Sequence, residues 1–332
     1  MKKFTKRAAA LGIAAVAALA LAGCSNNGGG SSDIDPDSIP EDETYIALVS
    51  KGYQHQFWQA VKAGAEERAD ELGVTITFDG PAAETEIDKQ LDMLKNAIDR
   101  KPDAIGYAAL DPEACVPLYE EAEAAEIPIV EFDATCNSEY AASFAATDNT
   151  VAGALAAENM AELIGGEGKI GIVGHSQINS TGVERRDGFV EKMEADYPDI
   201  EIVDIQYGDG DHLKSADIAK AMITAHSDLA GIYGTNEGSA IGVVNAANEL
   251  GLSGDDLMIV GFDSGAAQIN AIKEGTMAGA VTQDPKMIGA LTVQTAYDII
   301  NGEEVEDYLD TGSFWFDASN IDSEEIQEKI YE

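Results

Sequence analysis

Residues 103–133 read DAIGYAALDPEACVPLYEEAEAAEIPIVEFD. A short apolar run at 104–108 is followed by Asp111 and Pro112, which suit an N-cap and a first-turn proline. A helix-favouring stretch comes next, and then a second apolar run at 129–132. Two buried strands with a helix between them lie parallel in one sheet, because the helix carries the chain back to the starting edge. The same alternation continues in both directions. Further short apolar runs fall at 45–50, 74–78, 169–173, 202–206, 231–233, 258–262 and 278–282, with helical patterns between nearly all of them. After Glu86 the period is plain, since Ile87, Leu91, Leu94 and Ile98 share one helical face, and Gly73 after Leu72 suits a helix stop. The pattern predicts a parallel α/β architecture.

The start of the chain reads differently. Lys2, Lys3, Lys6 and Arg7 form a positive segment ahead of a short apolar run at 8–20, the arrangement of a secretory signal and too short to span a bilayer comfortably. Leu21-Ala22-Gly23-Cys24 then resembles a bacterial lipobox, in which Cys24 becomes the lipidated first residue of the mature chain and anchors it to the membrane. Residues 1–23 are read as the signal and 24–43, rich in Gly, Ser, Asn and acidic residues, as a flexible linker. Removing the signal takes four of the 20 Lys and Arg and none of the 61 Asp and Glu, so the formal charge moves from −41 to −45. Nucleic acid is thereby excluded as a partner, since a phosphate backbone needs a basic face. The remaining length suits two soluble domains with real cores. Cys115 and Cys136 stand in an exported chain where disulfides persist, and a bridge and two free buried thiols are both compatible with the sequence.

Open parallel sheets bind ligands beyond the carboxyl ends of their strands. Reading those positions gives Ser50 and the loop after it, Ala108, Asp133, the loop from His175 to Arg185, Asn236, Asp263 and Gln283. Most are planar polar groups, and almost none is a nucleophile with a base beside it.

The residues carrying a wider resemblance are Ile46-Ala47-Leu48-Val49-Ser50 leading to Phe57-Trp58, Lys101-Pro102-Asp103-Ala104-Ile105, and Ile127-Pro128-Ile129-Val130 before Asp133. They continue with Thr147-Asp148-Asn149, Glu184-Arg185-Arg186-Asp187-Gly188-Phe189, Thr235-Asn236-Glu237, Val260-Gly261-Phe262-Asp263 and Thr282-Gln283-Asp284-Pro285. Taken in this order they resemble the type I periplasmic binding proteins, within them the ribose-, galactose- and allose-binding group. The resemblance implies two similar doubly wound lobes joined by a three-strand hinge, with the chain crossing near Thr147, Gln283 and Thr311. The amino-terminal lobe would take residues 44–147 plus 284–310, and the other 148–283 plus 311–325. It further implies a monomer that captures a small sugar, needs no cofactor or metal, and delivers its ligand to an ABC transporter permease from the outer face of the membrane.

A monosaccharide presents hydroxyls at its rim and C–H groups on its faces, which calls for planar hydrogen-bonding groups and aromatic rings. Asp133 and Asp263 can accept hydroxyl protons, Arg185 can donate two parallel bonds, and Asn236 and Gln283 can do both. Phe57 and Trp58 are the stacking candidates, one expected to face the ligand and the other the core. Each has a plainer reading: Asp133 and Asp263 as turn caps, Arg185 as a surface ion pair, Asn236 as a strand-end cap and Gln283 as a hinge residue. Ser50, His55 and Gln56 are further candidates. Ala108, Ala134 and Gly210 replace an asparagine, an arginine and an aromatic expected from the resemblance, so fewer polar groups and a larger void are expected, with His55 and Gln56 filling part of it.

Other signals carry less. Gly166-Glu167-Gly168-Lys169-Ile170-Gly171 has dinucleotide-type spacing but precedes a strand, and Asp209-Gly210-Asp211-His212 lacks the rest of a calcium loop and reads as a polar turn. Four scattered histidines and no Gly-x-Ser-x-Gly give zinc or serine-hydrolase chemistry no support. An enzyme would need a nucleophile, metal or acid–base pair that these strand ends do not offer. A sensory protein presenting a signal such as a quorum molecule to a receptor uses the same fold as an importer's binding protein. The lipobox generates one expectation. Mass spectrometry of the native protein should find an acylated Cys24 as the first residue, and Cys24→Ala should release a soluble form; an unmodified amino terminus contradicts it.

Overall fold

The computed structural model describes residues 39–40 and 42–331, so the signal, Cys24 and most of the linker lie outside the described residues. Chain order in the first half is β1 (Tyr45–Val49), α1 (Gln56–Leu72), β2 (Thr75–Asp79), α2 (Ile87–Arg100), β3 (Ala104–Tyr107), α3 (Val116–Ala124), β4 (Ile129–Phe132) and β5 (Ser143–Ala146). The second half runs α4 (Asn149–Leu163), β6 (Gly168–Gly174), α5 (Ser180–Asp196), β7 (Ile200–Tyr207), α6 (His212–Ala225), β8 (Leu229–Gly234), α7 (Glu237–Leu250), β9 (Met258–Phe262), α8 (Ala266–Glu274) and β10 (Gly279–Thr282). After it come α9 (Pro285–Ile300), β11 (Tyr308–Asp310), β12 (Phe314–Asp317) and α10 (Glu324–Gln327).

These strands form two six-stranded sheets, β11-β5-β4-β3-β1-β2 and β12-β10-β9-β8-β6-β7. Every pairing is parallel except β10 with β12. Leaving out the outermost strands β11 and β12, the orders match, β2-β1-β3-β4-β5 against β7-β6-β8-β9-β10. The sheets therefore share one winding, with the reversal of strand order beside β1 and β6, where crevices open for ligands. Helices cover both faces, which explains why strands such as β1 and β3 are buried throughout and read as continuous apolar runs.

Three strands, β5, β11 and β12, were not expected from the sequence. β5 (SFAA) and β11 (YLD) carry none of the β-branched side chains that mark a buried strand, and neighbouring strands supply their partners. A second correction concerns Asp111 and Pro112. Asp111 accepts the Glu113 and Ala114 N–H groups, so it caps a turn, and α3 begins later at Val116, with Pro117 in its first turn. Gly73 does end α1, in the left-handed region at φ 68°.

The chain passes between the sheets at residues 147–148, 283–284 and 311–313. Thr147 Oγ1 lies 3.3 Å from Thr311 Oγ1 and also donates to the Gly312 carbonyl, tying two of these passages together. Ile321 and Ile326 pack into the second lobe, whereas Tyr331 reaches back to the first, its ring edge-on to Phe57. In the second lobe α4 lies against α5 at backbone distance. A Cβ on Gly153 would stand 2.3 Å from the Arg185 carbonyl oxygen, and one on Gly188 2.2 Å from that of Thr150. That close approach fixes where Arg185 emerges.

Cys115 and Cys136 are joined by a disulfide, with their Cα atoms 6.1 Å apart. Beside it the Glu131 carboxylate, buried on β4, accepts the Cys136 N–H at 2.7 Å and the Tyr119 hydroxyl at 3.0 Å. Burial nevertheless outweighs both bonds and pushes the Glu131 carboxyl up to about 7. A raised folded-state value means that this stability contribution is complete at about pH 4 and is lost as the pH rises through about 7. The unfolding free energy from denaturant titrations should thus fall between about pH 4.5 and 7 more steeply in the parent than in Glu131→Gln, by at most about 1.4 kcal/mol per pH unit. Equal slopes would show that Glu131 does not titrate in this window.

Candidate functional site

Asp133 follows β4 and Asp263 follows β9, the corresponding strands of the two sheets. Both have positive φ, 60° and 77°, a conformation that Asp tolerates better than most side chains. Their N–H groups bond across to the next strand, to the carbonyls of Ala145 and Val281. This pins the left-handed turn and points each carboxylate into the gap between the lobes.

The cavity there is lined by Lys51, His55, Phe57, Trp58, Glu84, Asp133, His175, Arg185, Asn236, Asp263 and Gln283. All seven principal residues selected from the sequence reach it, and His55 with them. Ser50 and Gln56 do not. The Ser50 hydroxyl turns back to the Gly52 and Asp79 carbonyls, and the Gln56 Oε1 is taken by the Ala266 N–H at 2.7 Å.

Each lobe contributes charged groups. Lys51 Nζ lies 2.8 Å from Asp133 Oδ2 and donates across the cleft to Thr181 Oγ1 and Asn179 Oδ1, at 3.1 and 3.3 Å. Glu84 accepts Trp58 Nε1–H at 2.8 Å and stands 2.9 Å from His175 Nε2 of the other lobe. Burial raises the Glu84 carboxyl, but the neighbouring imidazoles of His55 and His175 and the Lys51 ammonium more than reverse this and hold it well below the usual carboxylate range. The Arg185 guanidinium lies 3.7 Å over the Phe262 ring, with Nε donating to Asn149 Oδ1 and Nη1 to the Thr235 carbonyl. Two of its five N–H donors are so engaged, and Arg185 is a braced cation 4.0 Å from Asp263. Asp263 accepts Gln283 Nε2–H at 2.7 Å and the Glu237 N–H at 3.0 Å, and burial pushes its carboxyl up against the pull of Arg185.

Asn236 caps a helix and also borders the cavity. Its side chain accepts the Ser239 N–H as the N-cap of α7. Phe57 and Trp58 both line the cavity while packed into the first lobe's core, their rings perpendicular at 4.9 Å, so the expected division of labour between them is not found.

The larger, less polar void is likewise overturned. Lys51, Glu84 and His175, none singled out individually, crowd the cleft with polar side chains, and His55 stacks on His212 at 5.4 Å. Burial drives the His55 imidazole down to about 4 against the pull of Glu84. Lys51 and His175 lie in strand-end loops that the sequence had already marked. Glu84 follows β2, whose loop, Gly80-Pro81-Ala82-Ala83, reads as an uninformative turn.

A hinged pair of α/β lobes with an enclosed polar and aromatic cavity defines a protein that captures a small molecule by closing on it. The chain belongs to the periplasmic binding proteins, matching that family's domain over residues 46–304. It is 28% identical over 269 residues to the ribose import binding protein of Escherichia coli (strain K12), covering 79% of this chain and 86% of that one. An ABC transporter solute-binding protein from Agrobacterium vitis with bound D-fucose is 35% identical, with a TM-score of 0.83 over 86% of this chain and all of that one. One from Agrobacterium radiobacter in complex with D-arabinose is 32% identical, with a TM-score of 0.84 over 88% of this chain and all of that one.

Proposed function

We propose that this protein is the binding component of a sugar importer, held at the outer face of the membrane by a lipid on Cys24, which encloses a monosaccharide or related polyol between its lobes and presents it to an ABC permease. The observation that carries this reading is the convergence of two carboxylates, an arginine, two carboxamides and two aromatic rings on one closed cleft. Carboxylates and carboxamides suit the rim of a sugar, and the Phe57 and Trp58 rings its C–H faces. Relatives named for ribose import, and structures holding D-fucose and D-arabinose, support a sugar over a peptide or an amino acid, and import over signal presentation. Charges inside the cleft are already matched, Lys51 with Asp133 and Arg185 with Asp263, while the Glu84 carboxylate lies 2.9 Å from His175 Nε2. An uncharged ligand leaves that balance intact, whereas an ionised one would add a buried charge without a partner.

A thermal-shift panel of pentoses, hexoses, polyols and amino acids tests this directly. A true ligand at a hundred times its dissociation constant adds roughly 2.7 kcal/mol of stability. Sugars or polyols should dominate the hits; stabilisation by amino acids alone overturns the reading. Asp133→Asn and Asp263→Asn keep the turn geometry and remove the charge, so each should weaken sugar binding by about tenfold or more in isothermal titration. Glu194→Gln, on an exposed helix face, should leave affinity unchanged.

A further inference from the structure

Two helices that begin at the cleft lack a cap of their own. The N-cap of α1 is His55 and that of α8 is Gly265, and neither provides a side-chain acceptor for the first turn. In each case the opposite lobe supplies it. Glu237, at the start of α7 in the second lobe, accepts the Gln56 N–H through Oε1 at 3.1 Å and the Phe57 N–H through Oε2 at 3.2 Å. Gln56, at the start of α1 in the first lobe, accepts the Ala266 N–H at 2.7 Å. An acceptor at a helix start both satisfies an orphan N–H and meets the positive end of the helix dipole.

We propose that Gln56 and Glu237 form a reciprocal latch, each lobe capping a helix of the other, which biases the lobes toward closure and so sets affinity without touching the ligand. Glu237 and Gln56 are both absent from the cavity wall, unlike Asp263 and Phe57 beside them. Opening the cleft would strip three helix-start N–H groups of their acceptors in one movement. The two residues are therefore positioning residues for whatever the cleft encloses. The inference rests on reading the cleft as a hinged ligand trap, and not on the identity of the ligand.

Amide hydrogen exchange of the unliganded, disulfide-intact protein tests this without any ligand. Gln56→Ala removes only the acceptor of Ala266, and Glu237→Ala only those of Gln56 and Phe57. A latch predicts an effect in trans. Exchange at Gln56 and Phe57 should rise about fivefold in Gln56→Ala, and exchange at Ala266 by a similar factor in Glu237→Ala, the loss expected of one helix cap. Core amides of β4 and β9 serve as the folding control and should stay protected. If each variant loosens only the amides whose acceptor it removed, or if the parent shows no protection at all three, the latch is overturned. In a second arm, D-arabinose, D-fucose and D-ribose are titrated by stopped flow. Both variants should raise the dissociation rate of every sugar that binds the parent by one common factor and leave the ranking unchanged. A changed ranking would mean that these side chains contact the ligand. Should no sugar bind the parent, the sugar reading fails, and the exchange result still decides the latch.

Discussion

Taking an ionised side chain out of water costs several kcal/mol unless a partner of opposite charge and good hydrogen bonds are waiting for it. The cleft buries Lys51, Glu84, Asp133, Arg185 and Asp263 together, so its architecture has to answer that constraint before it can hold anything else. The answers come partly from the other lobe. Lys51 and Asp133 pair within the first lobe, but the remaining donor directions of the ammonium end on Asn179 and Thr181 of the second. Glu84 and His175 meet only across the gap. The closed arrangement is thus the one in which the charges are satisfied by protein, and the open one is the one in which water must do it.

The same constraint explains the supporting residues. Asn149 and the Thr235 carbonyl hold Arg185 over Phe262, which keeps a cation in place where a mobile one would swing toward solvent. Gln283 and the Glu237 N–H occupy one oxygen each of Asp263. A carboxylate restrained in this way loses little further freedom when a ligand hydroxyl arrives, and preorganised groups of this kind bind at a lower entropic cost. Surface pairs such as Lys192 with Glu158 and Asp196 have no comparable role, because exposed charges are screened by water and salt.

How much of this could be read from the sequence follows from the range of each signal. Alternating apolar runs report burial on both sheet faces, so the nine long or strongly apolar strands stood out, and the residues directly after them led to Asp133, Asn236, Asp263 and Gln283. β5 and β11 lack β-branched residues, so their pairing is a property of the folded neighbourhood and not of three or four residues. The errors at the site share that origin. Gln56 sits one residue from Phe57, and its helix faces the cleft, but whether its amide meets a ligand or a backbone N–H of the other lobe depends on how the lobes close. Similarly, Ala108 and Gly210 looked like vacancies because the side chains that crowd the space, Lys51, Glu84, His175 and His55, arrive from other loops.

The lobes are joined by three passages of only two or three residues each. Tethers that short convert the meeting of the two halves into an intramolecular event, with an effective concentration in the millimolar range or above. A handful of hydrogen bonds that could never hold two separate molecules together can hold these, since most of the translational and rotational entropy of association was already surrendered when the chain folded. The free energy left for the ligand to supply is correspondingly small, and it is this arithmetic that lets a molecule of a dozen heavy atoms move domains of well over a hundred residues.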